Sequence, residues 1–177
     1  MAGIDENVTR PGQSVFLAPD AGHRIPLGDA GTVTLKAVAA DSGGTLSAYE
    51  FVTPPTTAGP PLHLHRTWDE AFYVLEGEMT FLIDGHTHRA PAGSFVFIPR
   101  GILHTFWNAG DAPAKQLVVF TPAGIEAYFA EVTRVLADGG DEALDAAAAL
   151  MAKHDMIVPT ATGPAYGALT AAHRPEQ

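Results

Sequence analysis

The sequence predicts an all-β chain, a closed barrel or jelly roll, followed by a short helical tail. Three observations lead to that class. Eight short runs of strand-forming residues are separated by turn signals such as Asp41-Ser-Gly-Gly44, Glu76-Gly77 and Asp84-Gly85. No strand alternates with a long helical segment before residue 121, which argues against a parallel α/β sheet. From Thr121 onward the apolar period changes from that of a strand to that of a helix.

The strand-like runs are Ser14 to Ala18, Thr32 to Ala40, Thr45 to Thr53, Ala71 to Leu75, Glu78 to Ile83, Ser94 to Ile98, Leu103 to Trp107 and Lys115 to Phe120. Their β-branched and aromatic content suits a pleated, half-buried surface, and the short intervals between them predict antiparallel, hairpin-connected pairing. The aromatic residues Phe72, Phe95, Phe97, Phe106 and Trp107 read mostly as core, with Phe72 and Phe106 also facing a cavity. In the tail, Ile125, Tyr128, Phe129, Val132, Val135 and Leu136 fall at helical spacing. Thr121 and Pro122 suit its cap and first helical position, and Gly139-Gly140 stops it. A second helix is expected from a cap on Asp141 through Ala143 to Lys153, with both helices packed on the barrel exterior. The segment after Pro159 has no clear period.

Two segments concentrate the chemistry. Residues two apart on a strand point to the same side of a sheet, so His63 and His65 can aim two ring nitrogens at one ion. Glu70 heads the run Ala71-Phe72-Tyr73-Val74-Leu75, sharing a face with Phe72 and Val74, and can return a carboxylate to the same point from a neighbouring strand. An unpaired carboxylate at the head of an apolar strand is costly unless a cation meets it. The second segment, Gly93 to Asn108, holds an apolar strand, a Pro99-x-Gly101 turn expected to lay two strands side by side, and a strand delivering His104. Together they read as a metal site of His63, His65, Glu70 and His104.

At these residues the chain resembles the cupin superfamily. The second segment matches that family's second motif as Gly93, five residues, Pro99, one, Gly101, two, His104, three, Asn108. The first matches as His63, one, His65, four, Glu70, six, Gly77, with fifteen residues between Gly77 and Gly93, the short spacer of compact bacterial members. One position departs: where the family usually has glycine six residues before the first histidine, this chain has Thr57, with Gly59 closer. The approach loop Thr53 to Pro61, a candidate lid or rim, is therefore expected to bend differently. The resemblance implies a cupin-type jelly-roll β-barrel, read as a single domain over 1–177 with its barrel core at about 30–120 and its helices at about 122–154. It also implies the barrel site, a homodimer, and similarity to flavonol dioxygenases of the quercetinase type. In that scheme His63, His65 and His104 hold the ion while Glu70 is both ligand and catalytic proton acceptor.

Composition narrows the alternatives. With 20 acidic against 10 basic residues the net charge is −10, the wrong sign for phosphate backbones or anionic lipid. No nucleic acid and no membrane partner is expected; the expected partner is a small-molecule substrate. The absence of cysteine removes thiolate sites and thiol nucleophiles, so a metal must be held by nitrogen and oxygen. Acidic residues near the amino terminus, with no apolar stretch after them, make a cytoplasmic location the default expectation.

The other histidines serve as an internal contrast. His86 and His88 repeat the two-residue spacing, but five residues after His88 stands Gly93 and not a carboxylate, so the pair reads as solvent-facing. His23, His154 and His173 lack acidic company except for Asp155 beside His154, which reads as ordinary surface chemistry. Four nitrogen and oxygen ligands suit one divalent transition metal (Fe, Mn, Ni, Co or Zn), and affinity order does not choose among these. An ion that prefers five or six ligands keeps positions open for substrate or dioxygen. The expected function is a metal-dependent dioxygenase of the quercetinase type; the alternatives are a non-redox cyclase or isomerase acting on a polyketide-like substrate, or a non-enzymatic metal- and small-ligand-binding module.

Overall fold

The computed structural model describes residue 12, residues 14–138, residue 146 and residues 149–159. Eleven strands are placed in order: β1 (His23–Pro26), β2 (Thr32–Ala37), β3 (Ser47–Thr53), β4 (Leu64–His65), β5 (Asp69–Glu76), β6 (Glu78–Ile83), β7 (His86–Pro91), β8 (Phe95–Ile98), β9 (His104–Trp107), β10 (Ala114–Thr121) and β11 (Met156–Ile157). A single-turn helix α1 (Ala39–Ser42) follows β2, and α2 (Ile125–Asp138) follows β10.

Two layers make a jelly roll. One sheet runs β1-β2-β3-β10-β5-β8, and the other is built from β7-β6-β9 and from β4-β11, every pair antiparallel. The second layer is joined into one surface by His63 and His104, whose main chains exchange hydrogen bonds of 3.0 and 2.8 Å. Alternation along β5 explains how the layers meet: Glu70, Phe72 and Val74 are buried, and the residues between them are not. Phe72 lies 5.0 Å from Phe81 and 5.3 Å from Phe106, ring centre to ring centre, so three strands interlock at the core.

Several local expectations are corrected. The Pro99-x-Gly101 turn does not lay β8 beside β9: β8 pairs with β5 in one layer and β9 with β6 in the other, so residues 99–103 cross between layers. That crossing is tied down by Arg100, whose guanidinium and main-chain N–H both donate to Asp69, and by Gly101 N–H donating to the His65 carbonyl at 2.6 Å. Residues 14–18 form no strand, and Val15, Phe16 and Leu17 are exposed. Phe95 and Phe97 are not core; they are 66% and 53% exposed on edge strand β8, because Val96 and Ile98 take the inward positions. Phe72 is wholly buried in packing and does not reach the cavity described below, whereas Phe106 does.

Three strands escaped the reading: β1, β7 and β11, the last paired with β4. β1 pairs along β2, and β7 pairs along β6 through an Asp84-Gly85 turn with φ of 46° and 81°, the two positive values a tight hairpin requires. Helix α2 begins at Ile125 and not at Pro122, because Thr121 is still paired in β10 with Asp69; Glu126 fastens its first turn by accepting from Ala39 N–H at 2.8 Å and from the Ser47 hydroxyl at 2.5 Å. Of the second helix, residues 149–153 are helical, while the expected start at Asp141 and the stop at Gly139-Gly140 lie outside the described residues. Among the described residues no helix is long and apolar enough to cross a membrane.

Candidate metal centre

The structure brings the four sequence-predicted residues to one point. His63, His65, Glu70 and His104 are all buried, and each offers an atom within 4.8 Å of the others'. His63 and His65 come from β4 and its approach, and His104 opens β9 beside them. Glu70 arrives from the facing layer, not from a neighbouring strand, so the cluster spans the two sheets.

Hydrogen bonding fixes how the rings point. The Nδ1 of His63 donates to the Pro61 carbonyl (2.8 Å), that of His104 to Ile102 (2.9 Å) and that of His65 to Asp155 (3.3 Å). A neutral imidazole with its proton on Nδ1 presents Nε2 as a bare lone pair. His65 Nε2 has no hydrogen-bond partner and lies 3.5 Å from Glu70 Oε2, and His104 Nε2 stands 3.0 Å from the same oxygen. Packing holds the His65 ring as well, between Trp68 at 5.5 Å and Phe120 at 5.4 Å.

Converging lone pairs and a carboxylate repel one another unless a proton or a cation lies among them. Burial and the two neighbouring imidazoles push His63 down to about 3, so it stays neutral. For His104 burial works in the same direction, but the hydrogen bond and charge of Glu70 outweigh it and raise the ring above its ordinary value. Burial alone would raise Glu70; the His104 and His65 rings beside it overcome that and hold its carboxyl down to about 2. Three nitrogens and one oxygen, with no sulfur, are the donors of a hard or borderline divalent ion, and such an ion gives the orphaned His65 nitrogen the partner it lacks. The residues present fit a metal.

Beside the cluster opens a cavity of about 400 Å³. Its barrel walls include Val33, Tyr49, Phe51 and Phe106, and its rim is the 58–61 part of the approach loop. That loop is sewn to β9: the Thr105 hydroxyl donates to Pro60 O at 2.6 Å, and Asn108 Nδ2 donates to Pro54 O at 2.9 Å. Gly59 runs so close that a Cβ there would lie 1.5 Å from the Phe106 carbonyl, so glycine is required two residues after the position where the family pattern has it.

The described part of the tail does not pack on the outer barrel wall. Ile125, Tyr128, Phe129 and Val132 of α2, with Met151 and Met156, line the same cavity and roof it. Asp155 pins the roof, and it is no ordinary surface acid. Its carboxylate accepts from Arg66 N (3.0 Å), Thr67 N (2.7 Å), the Thr67 hydroxyl (2.6 Å) and Arg66 Nε (2.9 Å), while its carbonyl meets His65. No sequence signal marked Asp155 or Tyr49 as part of the site, and Tyr128 was visible only as a member of the helical stripe. His154 bonds Glu131 at 3.1 Å; His23, His86 and His88 are exposed away from the cluster, and His173 lies outside the described residues.

Comparison with known proteins agrees with this architecture. Residues 49–120 match a family model described as Cupin domain. The chain is 32% identical over 108 residues to germin-like protein 9-2 of Oryza sativa subsp. japonica, covering 58% of this chain and 50% of that protein. It is 31% identical over 67 residues to quercetin 2,3-dioxygenase of Bacillus subtilis, covering 38% of this chain and 20% of that enzyme. The chain thus spans half or less of the length of these relatives. The structure of the polyketide cyclase RemF from Streptomyces resistomycificus superimposes with a TM-score of 0.53 at 25% identity, over 62% of this chain and 80% of that one. Residues 49–120, from β3 through β10 and including all four clustered side chains, are thus the part of the chain that is similar to a cupin domain.

Proposed function

We propose that this protein is a metal-dependent enzyme acting on a small organic molecule, and that the reaction is a dioxygenation of the quercetinase type. One observation carries the reading: three imidazole Nε2 atoms and a carboxylate converge, buried, at the wall of an otherwise apolar cavity. His63, His65 and His104 would hold the ion, with Glu70 as fourth ligand. A divalent transition metal bound there supplies Lewis acidity toward a substrate oxygen and, if redox-active, access to dioxygen. The chain's own residues supply the rest. Glu70, held ionised, is the group placed to accept the proton of an enolic or phenolic hydroxyl, and the apolar walls exclude water. Similarity to quercetin 2,3-dioxygenase supports this reading.

A second reading, metal-assisted cyclisation without redox change, is favoured by the broader likeness to the polyketide cyclase RemF. One experiment separates them: elemental analysis of the purified protein, then oxygen uptake with quercetin. Oxygen consumption matching flavonol loss supports dioxygenation. Zinc content without oxygen uptake supports cyclisation, and a protein that takes up no metal refutes both.

The homodimer is likewise proposed. Phe95 and Phe97 on edge strand β8, with Tyr73 paired to Phe95 on β5, form an exposed apolar strip that a second copy would cover. Sedimentation of Phe95→Ser as a monomer beside a dimeric parent is the expected result.

A further inference from the structure

The metal cluster takes up only part of the cavity lining. Elsewhere in that lining, two phenols have no assigned role. Tyr49 of β3 is 4% exposed, its ring set 5.0 Å from Phe129 and 6.1 Å from Phe120, and Tyr128 reaches in from α2. Tyr49 is buried and Tyr128 half-buried, and among the described residues no hydrogen bond engages either hydroxyl. Burial keeps both phenols protonated, Tyr128 pushed up to about 12, and the Glu70 carboxylate and the Tyr128 phenol both lie close enough to raise Tyr49 further. Two neutral O–H donors therefore line the cavity, with Tyr49 close enough to feel the charge of the Glu70 carboxylate.

What is missing from the lining matters as much. Among the described residues no lysine or arginine faces the cavity, so away from the metal cluster a phosphate or carboxylate group would be desolvated there without a countercharge. The remaining walls are aliphatic and aromatic.

We propose that Tyr49 and Tyr128 are substrate-recognition residues that donate hydrogen bonds to a neutral oxygen of an uncharged, largely apolar substrate, next to the oxygen served by Glu70 and the histidines. The substrate class that fits has two adjacent oxygens, a hydroxyl beside a carbonyl, on a fused-ring or similarly flat body sized to about 400 Å³; phosphorylated sugars do not fit. This rests on the metal-centre reading above and adds to it a second recognition point.

The test uses the full chain loaded with Zn(II), which is redox-silent, and quercetin as probe, followed by absorbance titration without oxygen. Zinc content is measured first on the parent, Tyr49→Phe and Tyr128→Phe. The expected result is unchanged zinc with quercetin affinity weakened about tenfold in Tyr49→Phe and several-fold in Tyr128→Phe, the scale of one lost hydrogen bond to a site that cannot rehydrate. Glucose 6-phosphate should not compete. If both variants keep full zinc and bind quercetin within about twofold of the parent, the recognition role is overturned while the metal centre stands. Failure of the parent to bind quercetin, or tight binding of glucose 6-phosphate, overturns the substrate class. A parent without zinc overturns the metal-centre reading itself and this inference with it.

Discussion

Replacing Asp155 by alanine tests whether the C-terminal segment is part of the metal centre. Its carboxylate gathers three donors around residues 66 and 67, immediately after His65, and a fourth from the Arg66 guanidinium, which is 69% exposed. The exposed ion pair contributes at most about 1 kcal/mol. The two main-chain N–H bonds and the Thr67 hydroxyl bond contribute about 1 kcal/mol each, and alanine at the φ of 60° found here costs about 1 more. Asp155→Ala should therefore loosen the segment by about 4 to 5 kcal/mol. That is less than the stability of a typical domain, so the barrel stays folded. Once the segment detaches, the Asp155 carbonyl no longer orients His65, and loss of such an outer partner weakens metal binding about 10- to 100-fold. Chelator competition with Zn(II) measures the affinity, and amide exchange at Met156 and Ile157 reports detachment. Asp155→Asn tolerates the same backbone and keeps an acceptor, so it should lose no more than about tenfold. Fast exchange at those amides with affinity within about threefold of the parent would refute the coupling.

Three further outcomes follow from the geometry. His104→Ala removes both a nitrogen donor and the partner of Glu70, and elemental analysis should find bound metal well below one equivalent; full occupancy would contradict the assignment. His86→Ala, at an exposed strand position, should leave metal content unchanged, and a loss there would move the site. An ion and a proton compete for His104 Nε2, and Glu70 raises that ring above 6.5. Metal content after dialysis should thus decline as pH falls through a range beginning above 6.5, with His63 already neutral there. Constant content from about pH 8 to about pH 4 would count against it.

Side chains two apart on a strand face one way whatever the tertiary fold, so His63 and His65 were legible as a pair, and the apolar run after Glu70 marked it as an inward carboxylate. Three-dimensional placement was less legible. A Pro-x-Gly turn reads the same whether the chain doubles back or crosses to another layer, which is why β8 and β9 were expected side by side. Phe95-Val-Phe-Ile98 is apolar on both faces, so its period cannot say which face is buried; the structure turns the β-branched pair inward. β7 buries only Ala90 and has no apolar alternation to detect. The amphipathic stripe of α2 was visible, but a stripe does not tell whether a helix covers an outer wall or roofs a cavity. Asp155 gave no local sign at all, since its partners lie nearly ninety residues earlier.

Chain order gives this site an order of assembly. All four clustered residues lie between positions 63 and 104, while the side chains that roof the cavity come from positions 125 to 156. A polypeptide emerging amino end first can complete an open bowl before its cover exists. Ions and small molecules have free passage during that interval, and whatever has settled among the histidines is enclosed by the residues that arrive last. In the finished protein, whatever enters or leaves passes between that roof and the rim at residues 58–61.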